Sequence, residues 1–180
     1  MGRLNKITDD KASFFIKKLF KKVEEGLGKI PVLFRYMANS EAIFEGFLTY
    51  NSSLANAKLD PKYAKMVILA TSEYNDCEYC VRAHTQMAKD ANLLNDEQCL
   101  NARKFIGIDE KSNVMLKFVK KVLETKGYVS DDDLKEVRDA GFSDAEIVEM
   151  LGAMNIAMMT NYLAHVADVE CDFPEVPKAE

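Results

Sequence analysis

The chemistry of this chain is concentrated in twelve residues, Glu73-Tyr74-Asn75-Asp76-Cys77-Glu78-Tyr79-Cys80-Val81-Arg82-Ala83-His84. The whole chain has four cysteines and two histidines, and this stretch holds two of the former and one of the latter. Two thiols three residues apart, with an imidazole four residues further on, supply the parts of a two-electron thiol/disulfide reaction. A thiol reacts as its thiolate, and a free cysteine with a pKa of ~8.5 is mostly protonated at neutral pH. Activation therefore requires a base, a helix N-terminus or a nearby cation. The candidate catalytic residues are Cys80, Cys77, His84 and Glu73.

The elements around them must place these groups together. Asn75-Asp76 reads as a helix break, with asparagine ending the incoming helix in a left-handed conformation and aspartate capping the outgoing one. Cys77 then occupies the first helical position and Cys80 lies one turn in, both near unpaired backbone N–H groups. His84, four residues after Cys80, falls on the same helical face. Glu73 lies four before Cys77. In an unbroken helix Glu73, Cys77, Cys80 and His84 share one stripe; in a broken one Glu73 hangs at the end of the preceding helix, within reach of His84. Both arrangements allow a carboxylate–imidazole–thiol relay. The same residues admit a zinc site with Cys99, Cys171 or His165 as fourth ligand, or two inert buried cysteines. Structural zinc sites usually draw two ligand pairs from separate segments, so no metal is expected.

Helical periodicity runs through nearly all of the remaining chain. Thr8-Asp9-Asp10 offers a cap for a first helix with Phe14, Phe15, Leu19 and Val23 inward, closed by Gly26-Leu27-Gly28. Pro31 opens a short helix to Met37, and Asn39 or Ser40 caps a third. Asp60-Pro61 starts the helix that leads into the cysteines. Later starts are marked by Asn95-Asp96-Glu97, by Asp109 or Ser112, and by the acidic turn Ser130-Asp131-Asp132-Asp133. Ser143-Asp144-Ala145-Glu146 is a capping box for a last long helix, Ala145 to about Asp168. That helix is apolar nearly all round, which calls for cover on every side, part of it from another subunit. Its methionines read as packing groups. Residues 169–180, with two prolines and no period, read as an extended tail.

Composition sets outer bounds. A chain of 180 residues suits one domain, 1–180, with an N-terminal helix within 1–27 and a core over 60–168. Apolar residues make up 48% and charged residues 29%, the balance of a globular protein. A net charge of -5 argues against a nucleic-acid surface. No apolar run reaches the ~18 residues of a bilayer span, and the polar start Met1-Gly2-Arg3-Leu4-Asn5-Lys6 contains no secretory h-region. A cytoplasmic, membrane-free protein is expected, in which a Cys-x-x-Cys pair serves redox chemistry rather than stapling.

Asn75-Asp76-Cys77-Glu78-Tyr79-Cys80-Val81-Arg82-Ala83-His84 resembles the Asn-Gly-Cys-x-Tyr-Cys-x-x-Ala-His signature of alkylhydroperoxidase D-like (AhpD-like) proteins, in the carboxymuconolactone decarboxylase superfamily. Gly28 to Arg35, Asp60 to Leu69, Ala140 to Ile147, Thr160-Asn161-Tyr162, His165 to Asp168 and Asp172-Phe173-Pro174 are similar to other stretches of the family's peroxidase-related branch. The resemblance implies an all-α, AhpD-like helical fold, assembled as trimers or hexamers, with Cys-x-x-Cys near a helix N-terminus. It implies a thiol-dependent peroxidase: Cys80 attacks a small hydroperoxide, Cys77 resolves the sulfenic acid to a Cys77–Cys80 disulfide, and His84 shuttles protons. No bound cofactor is implied; an external dithiol, a lipoyl group or thiol reductant protein, restores the pair. Two departures stand out. The family's relay glutamate falls at Lys65, which leaves Glu73 as a substitute, and Tyr79 stands where some members have histidine. The alternatives are a thiol sensor or general thiol–disulfide oxidoreductase with little peroxide turnover, and a carboxymuconolactone decarboxylase-like enzyme, whose acid/base chemistry needs no thiol.

Overall fold

The computed structural model describes residues 3–179 and, among them, holds nine α-helices, one short 3-10 turn and no strand. The helices are α1 (Phe14–Leu27), α2 (Val32–Met37), α3 (Glu41–Ser53), α4 (Pro61–Tyr74), α5 (Glu78–Asp90), α6 (Asp96–Arg103), α7 (Glu110–Thr125), α8 (Asp131–Asp139) and α9 (Asp144–Ala167). Most start where a short polar side chain satisfies an otherwise orphaned backbone N–H. Asn95, Asp109, Ser130 and Ser143 each form a reciprocal capping box. Ser40 rather than Asn39 caps α3. The first helix begins later than Thr8-Asp9-Asp10 suggests: those residues form a turn, and the Ser13 hydroxyl accepts from the Ile16 amide. The inward face of α1 is accordingly Ile16, Phe20 and Val23, while Phe14 stands in solvent.

Packing radiates from α4, which lies along α9 and also touches α5, α6 and α7. Met66 through Ser72 are buried without interruption, so this part of α4 is enclosed on all sides. Ala153 and Ala157 of α9 are fully buried in the same core cluster and let the two backbones approach closely. Truncating a wholly buried side chain such as Leu69 to alanine would cost about 2–5 kcal/mol. A second cluster joins α1, α2 and α3, where the Phe20 and Phe44 rings meet edge to face at 5.8 Å.

The last helix is not covered all round. Val148, Leu151, Met159, Tyr162 and Val166 remain exposed along one stripe of α9. No helix among the described residues is long and apolar enough to cross a membrane. The tail after Ala167 has no helix, yet it is not loose: it folds back on α2 and α5, with Phe173 buried in a third cluster beside Leu33, Tyr79 and both motif cysteines.

Candidate active site

The site is built where α4 gives way to α5. Cys77 N–H donates to Ser72 O and Asp76 N–H to Glu73 O, each at 2.9 Å, the paired bonds of a Schellman ending. The residue this ending forces into the left-handed region is Asp76 (φ 53°), not Asn75. Asp76 therefore does not cap α5. Cys77 does: its Sγ accepts from the Cys80 N–H at 3.3 Å, and Cys80 is the third residue of the helix. A sulfur at this cap faces the positive end of the helix dipole, which favours thiolate in the reduced protein. The break is braced from α9, where buried Asn161 accepts from Asn75 Nδ2 at 2.9 Å and donates to Ser72 Oγ at 3.2 Å. His165 Nε2 lies 3.2 Å from Asp76 O, at the rim.

Cys77 and Cys80 are joined as a disulfide with Cα atoms 5.3 Å apart, and both residues are 1% exposed. They open on different spaces. Cys80 lines an inner cavity of about 240 Å³, together with His84, Lys65 and Thr160 and an apolar wall of Phe34, Phe47, Ile68, Ile156 and Phe173. Cys77 lines an outer depression of about 440 Å³, together with Asp76, Arg82, His165 and the exposed Cys171. Thr160 Oγ1 lies 3.9 Å from Cys80 Sγ and gives its hydrogen to Ala157 O (2.9 Å) and Ile156 O (3.2 Å). Its oxygen lone pairs thus face the sulfur, ready to accept from the reduced thiol.

His84 is brought to the inner cavity, but Glu73 is not brought to His84. The helix break swings Glu73 to the opposite side, where its Oε2 accepts from Arg103 Nε at 2.7 Å. Arg103 is buried and also donates to Pro177 O, so this carboxylate serves to neutralise a covered guanidinium. The partner of His84 is Lys65, with Nζ 3.4 Å from Nδ1. Burial, and secondly the Lys65 charge, hold the His84 pKa well below the ordinary histidine value, so the ring is neutral at physiological pH. Burial also lowers Lys65 to about 8.

This pairing reverses the usual order of a relay. A carboxylate behind the ring would accept from Nδ1–H and leave Nε2 free to take a proton. A protonated lysine instead donates to Nδ1, so the other ring nitrogen carries the hydrogen and acts as a donor. Loss of the lysine proton releases the ring to work as a base.

Tyr79, next to Cys80, acts through its hydroxyl. The oxygen accepts from Leu33 N–H at 3.2 Å and donates to Asp172 Oδ1 at 2.9 Å. Burial raises its pKa far above the usual phenol value, which fixes it as a donor. Asp172 also receives Lys29 Nζ at 3.0 Å, and the Lys29 ammonium sits 3.6 Å from the Phe173 ring centroid. Tyr79 and Lys29 thus clamp the tail so that Phe173 walls the inner cavity.

Cys99 is buried, its thiol pushed up to about 11 by desolvation. Among the described residues no three His, Cys, Asp or Glu side chains are grouped so as to hold a metal ion. The sequence marks Lys65 only as a departure from a family pattern, and its contact with His84 is the clue that pattern contained. Thr160 and Asp172 lie in stretches marked only by resemblance, with no role assigned, because both reach the site through long-range packing.

A carboxymuconolactone decarboxylase family model matches residues 41–112, a span that includes α4, α5 and both motif cysteines. No curated protein sequence matches the chain. Among solved structures, it is similar to the AhpD core of an uncharacterised peroxidase-related protein from Ralstonia eutropha JMP134. The TM-score is 0.83 at 20% identity, covering 95% of this chain and 92% of that one. An uncharacterised peroxidase-related protein from Silicibacter sp. TM1040 gives a TM-score of 0.78 at 20% identity, covering 93% and 89%. A cysteine-to-alanine variant of the debrominase Bmp8, in complex with 2,3,4-tribromopyrrole, gives 0.77 at 16% identity, covering 94% and 91%. Identities this low establish a shared fold, the all-helical AhpD-like one.

Proposed function

We propose that this chain, whose residues 41–112 match a carboxymuconolactone decarboxylase family model and whose fold is the AhpD-like one, is an enzyme of that superfamily and a thiol-dependent peroxidase. The observation that supports this reading is the division of the two sulfurs between two spaces, Cys80 on the inner cavity and Cys77 on the outer depression. In the reduced protein the Cys80 thiolate attacks one oxygen of a hydroperoxide ROOH. The O–O bond breaks, ROH leaves with a proton supplied through His84, and Cys80 becomes a sulfenic acid. The Cys77 thiol then attacks Cys80 Sγ, expelling water and forming the Cys77–Cys80 disulfide. An external dithiol, a lipoyl group or a reductant protein, attacks Cys77 Sγ from the outer depression and is itself oxidised to a disulfide as both thiols are restored. No bound cofactor takes part in this cycle.

A second reading, general thiol–disulfide exchange or redox sensing with little peroxide turnover, is favoured by one observation: Lys65 rather than a carboxylate stands behind His84. The lactone decarboxylation for which the family is named would leave both thiols without a role.

The test is thiol titration with peptide mapping before and after one equivalent of hydroperoxide, followed by turnover with a dithiol. Loss of two thiols, a Cys77–Cys80 peptide and catalytic consumption of peroxide support peroxidase activity. A disulfide that forms without turnover supports the second reading. A parallel assay of bromide release from a bromopyrrole separates hydroperoxide reduction from the activity that the name of Bmp8 describes.

The exposed stripe Val148, Leu151, Met159, Tyr162 and Val166 on α9 suits a contact with a second copy of the chain. We read the protein as a homo-oligomer, a trimer or hexamer, that acts in the cytoplasm.

A further inference from the structure

The inner cavity contains a cation without an anion. Its walls come from α2 (Phe34), α3 (Phe47 and Asn51), α4 (Lys65 and Ile68), α5 (Cys80 and His84), α9 (Ile156 and Thr160) and the tail (Phe173). No aspartate or glutamate is among the residues that line it. The titratable groups facing Lys65 are His84 on α5 and Cys99 on α6, and neither carries negative charge near neutral pH. An ammonium group has three N–H donors, and the structure gives Lys65 one partner, His84 Nδ1.

We infer that Lys65 receives the anionic end of a substrate, and that the cavity takes a small apolar carboxylic acid with its carboxylate on the Lys65 ammonium and its hydrocarbon body between Phe47, Ile68, Ile156 and Phe173. A half-buried charge without an anionic partner is costly, and a bound carboxylate removes that cost by supplying a charge-assisted hydrogen bond. The apolar wall selects against small inorganic anions, which would lose their hydration for nothing. A volume of about 240 Å³ limits the acid to a single ring or a short chain. Lys65 has a pKa of about 8 without such an anion, so binding an acid above that pH also draws a proton into the protein. As a statement about the hydroperoxide this deepens the peroxidase reading and rests on it: the preferred substrate is a hydroperoxide that bears a carboxylate.

The experiment uses benzoate as probe, benzamide as its neutral counterpart and inorganic phosphate as the control anion, on the resting disulfide form by titration calorimetry. Benzoate should bind wild-type protein at least tenfold more tightly than benzamide, and phosphate should not compete. The heat at pH 8.5 should depend on the ionisation enthalpy of the buffer, as proton uptake requires. Lys65→Met and Lys65→Gln should both lose the preference for benzoate. Equal affinity for benzoate and benzamide in the wild-type protein overturns the inference, and that measurement decides it whether or not the variants fold. Turnover of neutral tert-butyl hydroperoxide is measured separately. Peroxide reduction without benzoate binding refutes the acid subsite alone, and benzoate binding without reduction of either this peroxide or a carboxylate-bearing hydroperoxide refutes the peroxidase reading alone.

Discussion

Lys65 Nζ lies 3.4 Å from His84 Nδ1, so a cation stands behind the imidazole. The direction in which His84 moves protons therefore follows the protonation of Lys65. Below about pH 8 the lysine is charged and the ring acts as a donor; above it, the ring is free to accept the Cys80 proton. The rate of Cys80 oxidation by a neutral hydroperoxide should rise with pH, by up to about tenfold per unit, and level off above about 8. Lys65→Met should remove the step centred near 8. Stopped-flow oxidation rates across pH 6–10 measure this, and an identical profile in the variant would show that the two groups are not linked.

The same lysine affects stability with a definite sign. Its pKa is about 8 in the folded chain against the ordinary lysine value of 10.5, so the unfolded chain binds more protons between those values and stability rises with pH across that window. Below about 8 the cost of burying the charge is present in full. Lys65→Met should therefore be more stable than wild type at pH 7, by roughly 1–2 kcal/mol, and the difference should shrink towards pH 10.5. Urea denaturation at several pH values reads this out.

Roles of the two sulfurs separate by substitution. Cys80→Ser should abolish hydroperoxide reduction, whereas Cys77→Ser should still react once and retain a sulfenic acid that dimedone labels at Cys80. Mass spectrometry of the labelled peptide checks both. Full turnover in Cys80→Ser would move the attacking role elsewhere.

Asp76 occupies a left-handed position (φ 53°) that aspartate tolerates and glycine prefers. Asp76→Gly should stabilise the fold by up to about 1 kcal/mol, since no side-chain bond of Asp76 is lost. Thermal melting measures the change; a loss of stability would mean that the carboxylate contributes more than its backbone position costs.

Tyr79→Phe removes the bond to Asp172 and leaves the Leu33 N–H unpaired. The expected cost is about 1–2 kcal/mol, together with faster proteolysis of the tail, followed by mass spectrometry. An unaltered digestion pattern would show that Lys29 alone holds Asp172.

Much of this architecture was legible in the chain. Helix starts at Asn95, Asp109, Ser130 and Ser143 are visible because capping is local chemistry, decided within four residues. Cys77, Cys80 and His84 are visible because their spacing is helical. Glu73 misleads for a physical reason. Its distance along the chain from Cys77 suits a continuous helix, but a left-handed residue between them turns its side chain away, and buried Arg103, thirty positions later, claims the carboxylate. Periodicity does not report that α4 is enclosed, because four neighbouring helices, α5, α6, α7 and α9, surround a segment only one of whose faces its own pattern reports.

With one sulfur turned to each opening, the Cys77–Cys80 pair behaves as a partition. In the proposed peroxidase cycle, oxidant and electron donor would not queue at a common doorway, and a bulky protein donor docked outside would leave the interior free for the next peroxide. Steady-state double-reciprocal plots should then be parallel lines, with neither reactant inhibiting as a competitor of the other.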